Sequence, residues 1–191
     1  MVNAVLLTFF LLTLILVTGF PSDISESHED KCRSFSSCAM CLDKKYCTWC
    51  VTKSRCTQQS CGNDNVIYPK HIKALMSGAQ FCPRVIEKKE TIFKSGHKEG
   101  FVVKITQIYL YMAFTPWKCK VKINDKETVV NAMLISDEVY CQSIELKNDS
   151  ENPYVSGSVT VLWNYDKSFD GSLPFKVCRA DLEPSCAAYP D

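Results

Sequence analysis

Cysteine is the residue type in this sequence that offers the most chemistry. Twelve of the 191 residues are cysteine, and eight of these lie between Cys32 and Cys82. Two CxxC steps, Cys38–Cys41 and Cys47–Cys50, follow one another, and such steps occur in zinc sites, redox motifs and disulfide frameworks. Only five residues separate the two steps, whereas common zinc modules place roughly 12–20 residues between their ligand pairs. A redox step would lie in a βαβ pattern, which is missing here. We therefore expect structural disulfides, and neither a metal nor another cofactor.

Other residues that could carry catalysis are scattered along the chain. The three histidines, His28, His71 and His97, lack the spacing of a metal motif such as HExxH. A Gly-x-Ser-x-Gly nucleophile turn and a glycine-rich phosphate loop are both missing from the sequence. The acids at 137–138 and 149–151 lie in expected turns, where solvated carboxylates are common. We predict that the protein is not an enzyme.

The first residues indicate the compartment. Val2 to Val17 is almost wholly apolar, small residues follow at Thr18 and Gly19, and Pro21 ends any helix. This pattern predicts a signal peptide over residues 1–19, although no basic residue precedes the apolar run. A retained anchor is the alternative, but the run is shorter than the roughly 20 residues that span a bilayer. We expect a secreted, extracellular protein with no stable membrane span, in which disulfides persist.

Composition and charge divide the mature chain into segments. An apolar content of 46% excludes a disordered chain, and a net charge of +1 gives no global field for nucleic acid. Residues 20–31 predict a short acidic leader, 32–82 a basic cysteine-rich module, 83–178 a β-rich domain and 179–191 a tail. The basic module is a candidate for binding sulfated glycans through Lys44, Lys45, Lys53 and Arg55. A solvated basic surface is the alternative, for this set and for the strand lysines Lys118, Lys120 and Lys122.

The two larger segments differ in their periodicity. The cysteine-rich module has few other apolar residues, so its bridges must supply much of its stability, and Pro69–Gly78 predicts one short helix. Residues 101–178 instead favour strands, because β-branched and aromatic residues recur between turn signals. The expected strands are 101–105, 108–112, 117–123, 128–134, 139–146, 158–165 and 173–178. Their number and spacing predict an immunoglobulin-like β-sandwich, with a barrel of similar size as the alternative.

The cysteine spacing resembles the PSI module that plexins, semaphorins and integrins share. The Cys47-Thr-Trp-Cys50 step is the most specific element, and all eight cysteines of residues 32–82 fit the pattern. Eight cysteines alone would allow 105 connectivities. The resemblance implies one of them: Cys32–Cys47, Cys38–Cys82, Cys41–Cys56 and Cys50–Cys61.

The β-rich domain resembles the IPT/TIG domain that follows a PSI module in plexins. The resemblance is carried by Trp117-Lys-Cys119, Val130-Asn-Ala132 and Val139-Tyr-Cys141. Cysteines on neighbouring strands can approach within bridging distance, so we predict Cys119–Cys141. Cys178–Cys186 then completes the count, although this spacing also resembles the opening of a second PSI module.

These features predict a non-catalytic extracellular module that interacts with a protein partner of unknown identity. It could be a soluble ligand or decoy for a cell-surface receptor. The alternatives are a structural or glycan-binding protein, and a hydrolase inhibitor that presents the bridged loop at residues 54–59. Asn148-Asp-Ser150 is an N-glycosylation sequon in an expected turn, so we predict a glycan at Asn148.

Overall fold

A computed structural model describes residues 27–86, 90–106 and 108–188 of the chain. The predicted signal peptide, 1–19, and residues 20–26 of the predicted leader lie outside this range. Within the described residues, no helix has the length and apolar character needed to cross a membrane.

Short elements make up the cysteine-rich module. They are helices α1 (His28–Arg33) and α2 (Cys38–Leu42), strands β1 (Thr48–Cys50), β2 (Arg55–Thr57) and β3 (Val66–Ile67), and a 3-10 helix at Ala79–Phe81. A serine caps each α-helix, because Ser27 Oγ accepts from the N–H of Asp30 and Ser37 Oγ from that of Met40. The strands pair in the order β2–β1–β3. Helix α1 begins at residue 28, inside the segment that the sequence assigned to the leader.

The prediction of a helix over Pro69–Gly78 is wrong. This segment is a series of turns in which Ser77 Oγ donates to the carbonyls of Ile72 and Ala74, at 2.7 and 3.1 Å. A serine hydroxyl that bonds nearby carbonyls competes with the helical pattern. Backbone hydrogen bonds between Tyr68 and the Met76–Gly78 segment then close the segment as a loop.

The second module is a mostly-β sandwich. Its strands are β4 (Thr91–Lys94), β5 (Lys98–Glu99), β6 (Val102–Lys104), β7 (Trp117–Ile123), β8 (Lys126–Ile135), β9 (Glu138–Cys141), β10 (Ile144–Glu145), β11 (Tyr154–Trp163), β12 (Lys167–Ser168) and β13 (Leu173–Cys178). Two 3-10 helices lie at Leu110–Phe114 and Pro184–Ala188. The main sheet has the order β4–β13–β11–β7–β8–β9–β6, β12 pairs with β11, and β10 pairs with β5. All these pairs are antiparallel except β13–β4.

The main sheet folds over so that its two ends face each other. Phe93 on β4 packs edge-on against Phe101 beside β6, with 5.4 Å between ring centroids, and both rings contact Phe175 on β13. Among the described strands, β4 and β6, at the two ends of the sheet, do not pair with each other. The sheet therefore encloses its core as a sandwich and does not close into a barrel. This result confirms the fold class predicted from the sequence.

Period-two alternation was a reliable guide for the central strands. On β7, Trp117, Cys119 and Val121 are buried, while the lysines between them face outwards. Two-residue turns join β7 to β8 and β8 to β9, with Asn124 and Ser136 at positive φ. Both turns lie between strands that the sequence predicted.

Alternation misled the prediction at residues 108–112. Isoleucine, leucine and methionine alternate there with tyrosines, yet residues 110–114 form a 3-10 helix. Met112 is fully buried, and its carbonyl accepts a hydrogen bond from Trp117 Nε1 at 3.1 Å. Tertiary packing of one methionine therefore overrides the local strand preference.

Gly157 provides a test of the sandwich core. It lies on β11 opposite Phe175, and a Cβ at this position would overlap the phenyl ring. We expect Gly157→Ala to lower the free energy of unfolding by about 2 kcal/mol, because overpacking forces the ring to move. Ser156→Ala, at the exposed neighbouring position, should change it by no more than about 0.5 kcal/mol. Urea denaturation under non-reducing conditions measures both, and equal effects would contradict this account.

Candidate functional site

Four disulfides hold the first module together. The pairs are Cys32–Cys47, Cys38–Cys82, Cys41–Cys56 and Cys50–Cys61, with Cα separations of 5.6–5.7 Å. Cys41–Cys56 joins α2 to β2, the other three bridges tie α1, α2 and β1 to the loops, and all eight cysteines are buried, as is Trp49. The pairing coincides with the one that the sequence resemblance implied. A module with so small an apolar core depends on such bridges for its stability.

The remaining four cysteines pair within the second module. Cys119 on β7 joins Cys141 on β9, and Cys178 at the end of β13 joins Cys186. All twelve cysteines lie within the described residues, and all are paired. Groupings of cysteine sulfurs, including one beside Asp170, therefore consist of disulfides, which do not offer the thiolates that zinc requires.

Hydrogen bonds to the Glu29 carboxylate link α1 to the end of β2. Its carboxylate accepts from Arg33 Nε at 2.7 Å, from the backbone N–H of Gln58 at 2.7 Å and from the hydroxyl of buried Thr57 at 2.9 Å. Burial raises the pKa of this carboxyl, but the hydrogen bonds from Arg33, Gln58 and Thr57 outweigh it and lower the pKa to about 2. Glu29 therefore stabilises the folded module as a carboxylate.

A carboxylate from the sandwich joins the two modules. Asp170 follows β12, and its two oxygens accept from the N–H groups of Cys38 and Ala39, at 3.0 and 2.7 Å. These are the first two N–H groups of α2, which lack partners within the helix. The backbone of Asp170 also bonds the connecting segment, through the Pro83 carbonyl at 2.9 Å and the Val85 N–H at 2.8 Å. We call this contact region the seam.

Aromatic side chains extend the seam on the side of the 3-10 helix at 110–114. Thr52 Oγ1 donates to Tyr111 Oη at 3.3 Å, and Tyr109 Oη donates to Met76 Sδ at 3.3 Å. Burial raises the pKa of Tyr109 to about 12 and also raises that of Tyr111. Both tyrosines therefore remain neutral at physiological pH, and each joins the sandwich to the first module.

The structure lends no support to a sulfated-glycan site built from the predicted basic set. Lys44 Nζ lies 3.3 Å from the Asp43 carboxylate and 5.6 Å from the centroid of the Phe35 ring. Lys53 Nζ donates to the Cys61 carbonyl at 3.3 Å. These contacts occupy two of the four side chains, and the other two, Lys45 and Arg55, are exposed.

The side chain of Asn148, where the sequence predicts a glycan, is buried and hydrogen-bonded within the protein. This residue is only 5% exposed, and its Nδ2, the atom that would carry the sugar, donates to the Asn152 carbonyl at 2.9 Å. Its Oδ1 accepts from both the N–H and the hydroxyl of Ser150. The sequon thus serves as an internal hydrogen-bonded turn, a pattern that asparagine and serine adopt readily.

Three of the candidate catalytic groups, His28, Asp137 and Asp149, make contacts within the protein. His28 stacks on Tyr46 with 4.3 Å between ring centroids. Asp137 forms an ion pair with Lys104 at 3.4 Å, and Asp149 forms one with Lys126 at 3.0 Å.

Sequence and structure comparisons agree on the two modules. A family model described as the plexin repeat matches residues 31–74, and one described as the TIG domain found in plexin matches residues 89–178. Among curated protein sequences, none matches the chain.

Two solved structures of the full extracellular region of plexin A4 share the fold. One superimposes with a TM-score of 0.62 over 80% of this chain, and the other with 0.59 over 78%, each at 18% identity. The chain spans only 15% and 13% of the lengths of those two proteins.

The Glu29 contacts predict a pH-dependent stability. Because folding lowers the pKa of Glu29 from 4.5 to about 2, its carboxylate contributes fully to the stability of the folded protein above pH 4.5. This contribution disappears as the pH falls towards 2. The free energy of unfolding should therefore fall over that range more steeply in the wild type than in Glu29→Gln. Denaturant titrations at a series of pH values measure this, with Glu151→Gln, an exposed acid, as the control. Parallel curves for Glu29→Gln and wild type would contradict the assignment.

The Asn148 contacts predict a protein without an N-glycan. Enzymatic deglycosylation of protein secreted from mammalian cells should leave its intact mass unchanged. Asn148→Ala should lower the free energy of unfolding by about 2 kcal/mol, because buried partners lose their hydrogen bonds. Asn152→Ala keeps the acceptor carbonyl and should have little effect. A glycan-sized mass loss on deglycosylation would refute the prediction.

Proposed function

Because this chain contains a plexin repeat followed by a TIG domain of the type found in plexin, we propose that it is a soluble extracellular ligand or decoy for a cell-surface receptor. Plexin extracellular PSI and TIG domains are non-catalytic interaction modules, which fits an interaction role here. Complete pairing of twelve cysteines supports an oxidising, extracellular location.

The observation that carries this proposal is the seam. Two modules joined by a flexible linker lose orientational freedom when a partner contacts both, which weakens binding. Here Asp170 bonds the start of α2 and the connecting segment together, while Tyr109 and Tyr111 reach the first module separately. The seam therefore makes one preorganised binding body from two small modules.

The test is saturable binding to cells that display plexin or semaphorin ectodomains. We expect labelled wild-type protein to bind such cells and not the untransfected parent cells. Asp170→Ala removes the acceptor for two N–H groups and should weaken binding at least about fivefold, because the modules lose their fixed orientation. Asp166→Ala removes an exposed acid from the preceding turn and should bind like the wild type.

Two further measurements make the outcome decisive. Disulfide mapping and thermal unfolding should show that Asp170→Ala is folded, and small-angle X-ray scattering should show a broader distribution of module orientations. Absence of saturable binding across both receptor classes would refute the ligand or decoy role. Unchanged affinity in a demonstrably loosened Asp170→Ala protein would refute the role of the seam.

A further inference from the structure

Three large apolar side chains project from two loops beside the seam. Leu75 is 94% exposed, Phe114 83% and Leu110 79%, the highest values among the large apolar residues that the structure describes. Side chains this exposed make few contacts within their own protein. Loop A, residues 70–76, belongs to the first module, and loop B, residues 108–114, belongs to the sandwich.

A direct contact holds the two loops side by side. Tyr109 Oη on loop B lies 3.3 Å from Met76 Sδ on loop A. Both residues also line a groove of about 400 Å³, together with Phe81 and Ile108. Leu75 and Leu110 are the chain neighbours of the two residues in contact. The seam therefore places the apolar tips of two different modules in one region of the surface.

Loop B is held firmly, so its exposed side chains are fixed in place. Met112 is fully buried between them, and its carbonyl accepts from Trp117 Nε1. Tyr111 contacts the ring of Trp163 at 6.1 Å and the hydroxyl of Thr52. Since Met112 and Tyr111 fill the inward positions of the short helix, Leu110 and Phe114 remain on its outer side.

The sequence around both loops lacks acids. Residues 65–86 and 100–124 contain no aspartate or glutamate, and loop A contributes the exposed cations Lys70 and Lys73. Asp64 is an acid near both tyrosines, but its carboxylate accepts from the N–H groups of Thr52 and Lys53, at 2.8 and 3.1 Å. A surface that combines apolar tips with excess positive charge complements an anionic bilayer, whose headgroups attract lysine and whose interior accepts leucine and phenylalanine.

We propose that loops A and B form a membrane-docking surface, in which Leu75, Leu110 and Phe114 insert into an anionic lipid bilayer and Lys70 and Lys73 contact its headgroups. Acyl chains adapt to projecting side chains of any shape, which favours a bilayer over a protein pocket as the occupant. This inference is independent of the receptor-binding role, since it concerns a different ligand and needs no receptor.

The experiment is sedimentation of the full chain with vesicles of phosphatidylcholine and phosphatidylserine at about 7:3, with pure phosphatidylcholine vesicles for comparison. We expect binding to the anionic vesicles alone, weakened by added salt. The double substitution Leu110→Gln and Phe114→Gln should reduce partitioning at least about tenfold, because the inserted apolar area is lost. Lys70→Gln with Lys73→Gln should weaken binding to the anionic vesicles and reduce its sensitivity to salt.

Met133→Gln is the matched control, because Met133 is 63% exposed on β8 and belongs to neither loop. It should bind vesicles like the wild type. In Phe114→Trp, the new indole should show a blue-shifted emission on adding anionic vesicles, since only an inserted residue leaves water. No binding of the wild type to anionic vesicles would overturn the proposal, as would equal losses for Met133→Gln and the loop variants. Loss of receptor-cell binding with unchanged vesicle binding in the loop B variant would assign the surface to a protein partner instead.

Discussion

The disulfide between Cys38 and Cys82 determines where the two modules meet. It ties the first residue of α2 to the residue before the connecting segment, so the chain enters the sandwich beside the start of that helix. The free N–H groups of α2 are then presented where Asp170 lies, and the carboxylate completes the helix from the other module. One covalent constraint and one charged acceptor thus fix an arrangement that neither module could specify alone.

Polar side chains of one element repeatedly form hydrogen bonds with backbone groups of another element or of the other module. Glu29 on α1 accepts hydrogen bonds from Thr57 and Gln58 at the end of β2. Asp170 likewise accepts a hydrogen bond from the N–H of Cys38 at the start of α2. Asn148 accepts a hydrogen bond from the N–H of Ser150 in its own turn and donates one to the Asn152 carbonyl. Each polar side chain supplies acceptors or donors to backbone groups that short elements leave unpaired. A small protein with short helices needs many such contacts, because regular secondary structure pairs few of its backbone groups.

The apolar residues fall into two populations with different consequences. Phe93, Phe101 and Phe175 converge in the core and hold the folded-over sheet closed. Leu75, Leu110 and Phe114 stand outside any core, on loops that buried or hydrogen-bonded neighbours hold in place. Hydrophobicity alone does not separate these populations, since both occur in segments rich in apolar residues. Whether an apolar residue is buried or exposed depends on which of its neighbours packs into the interior.

The sequence by itself determined the fold class, because cysteine spacing and period-two alternation are local signals that survive in any context. Alternation placed β7 and its following turn correctly, and the cysteine pattern matched the bridges that the structure contains. Tertiary structure decided the features that depend on contacts between distant residues. It folded residues 110–114 into a 3-10 helix around buried Met112, left 69–78 as a loop and turned the Asn148 side chain inwards. It also brought Asp170 to Cys38, a pairing across more than one hundred residues for which the chain carries no local signal.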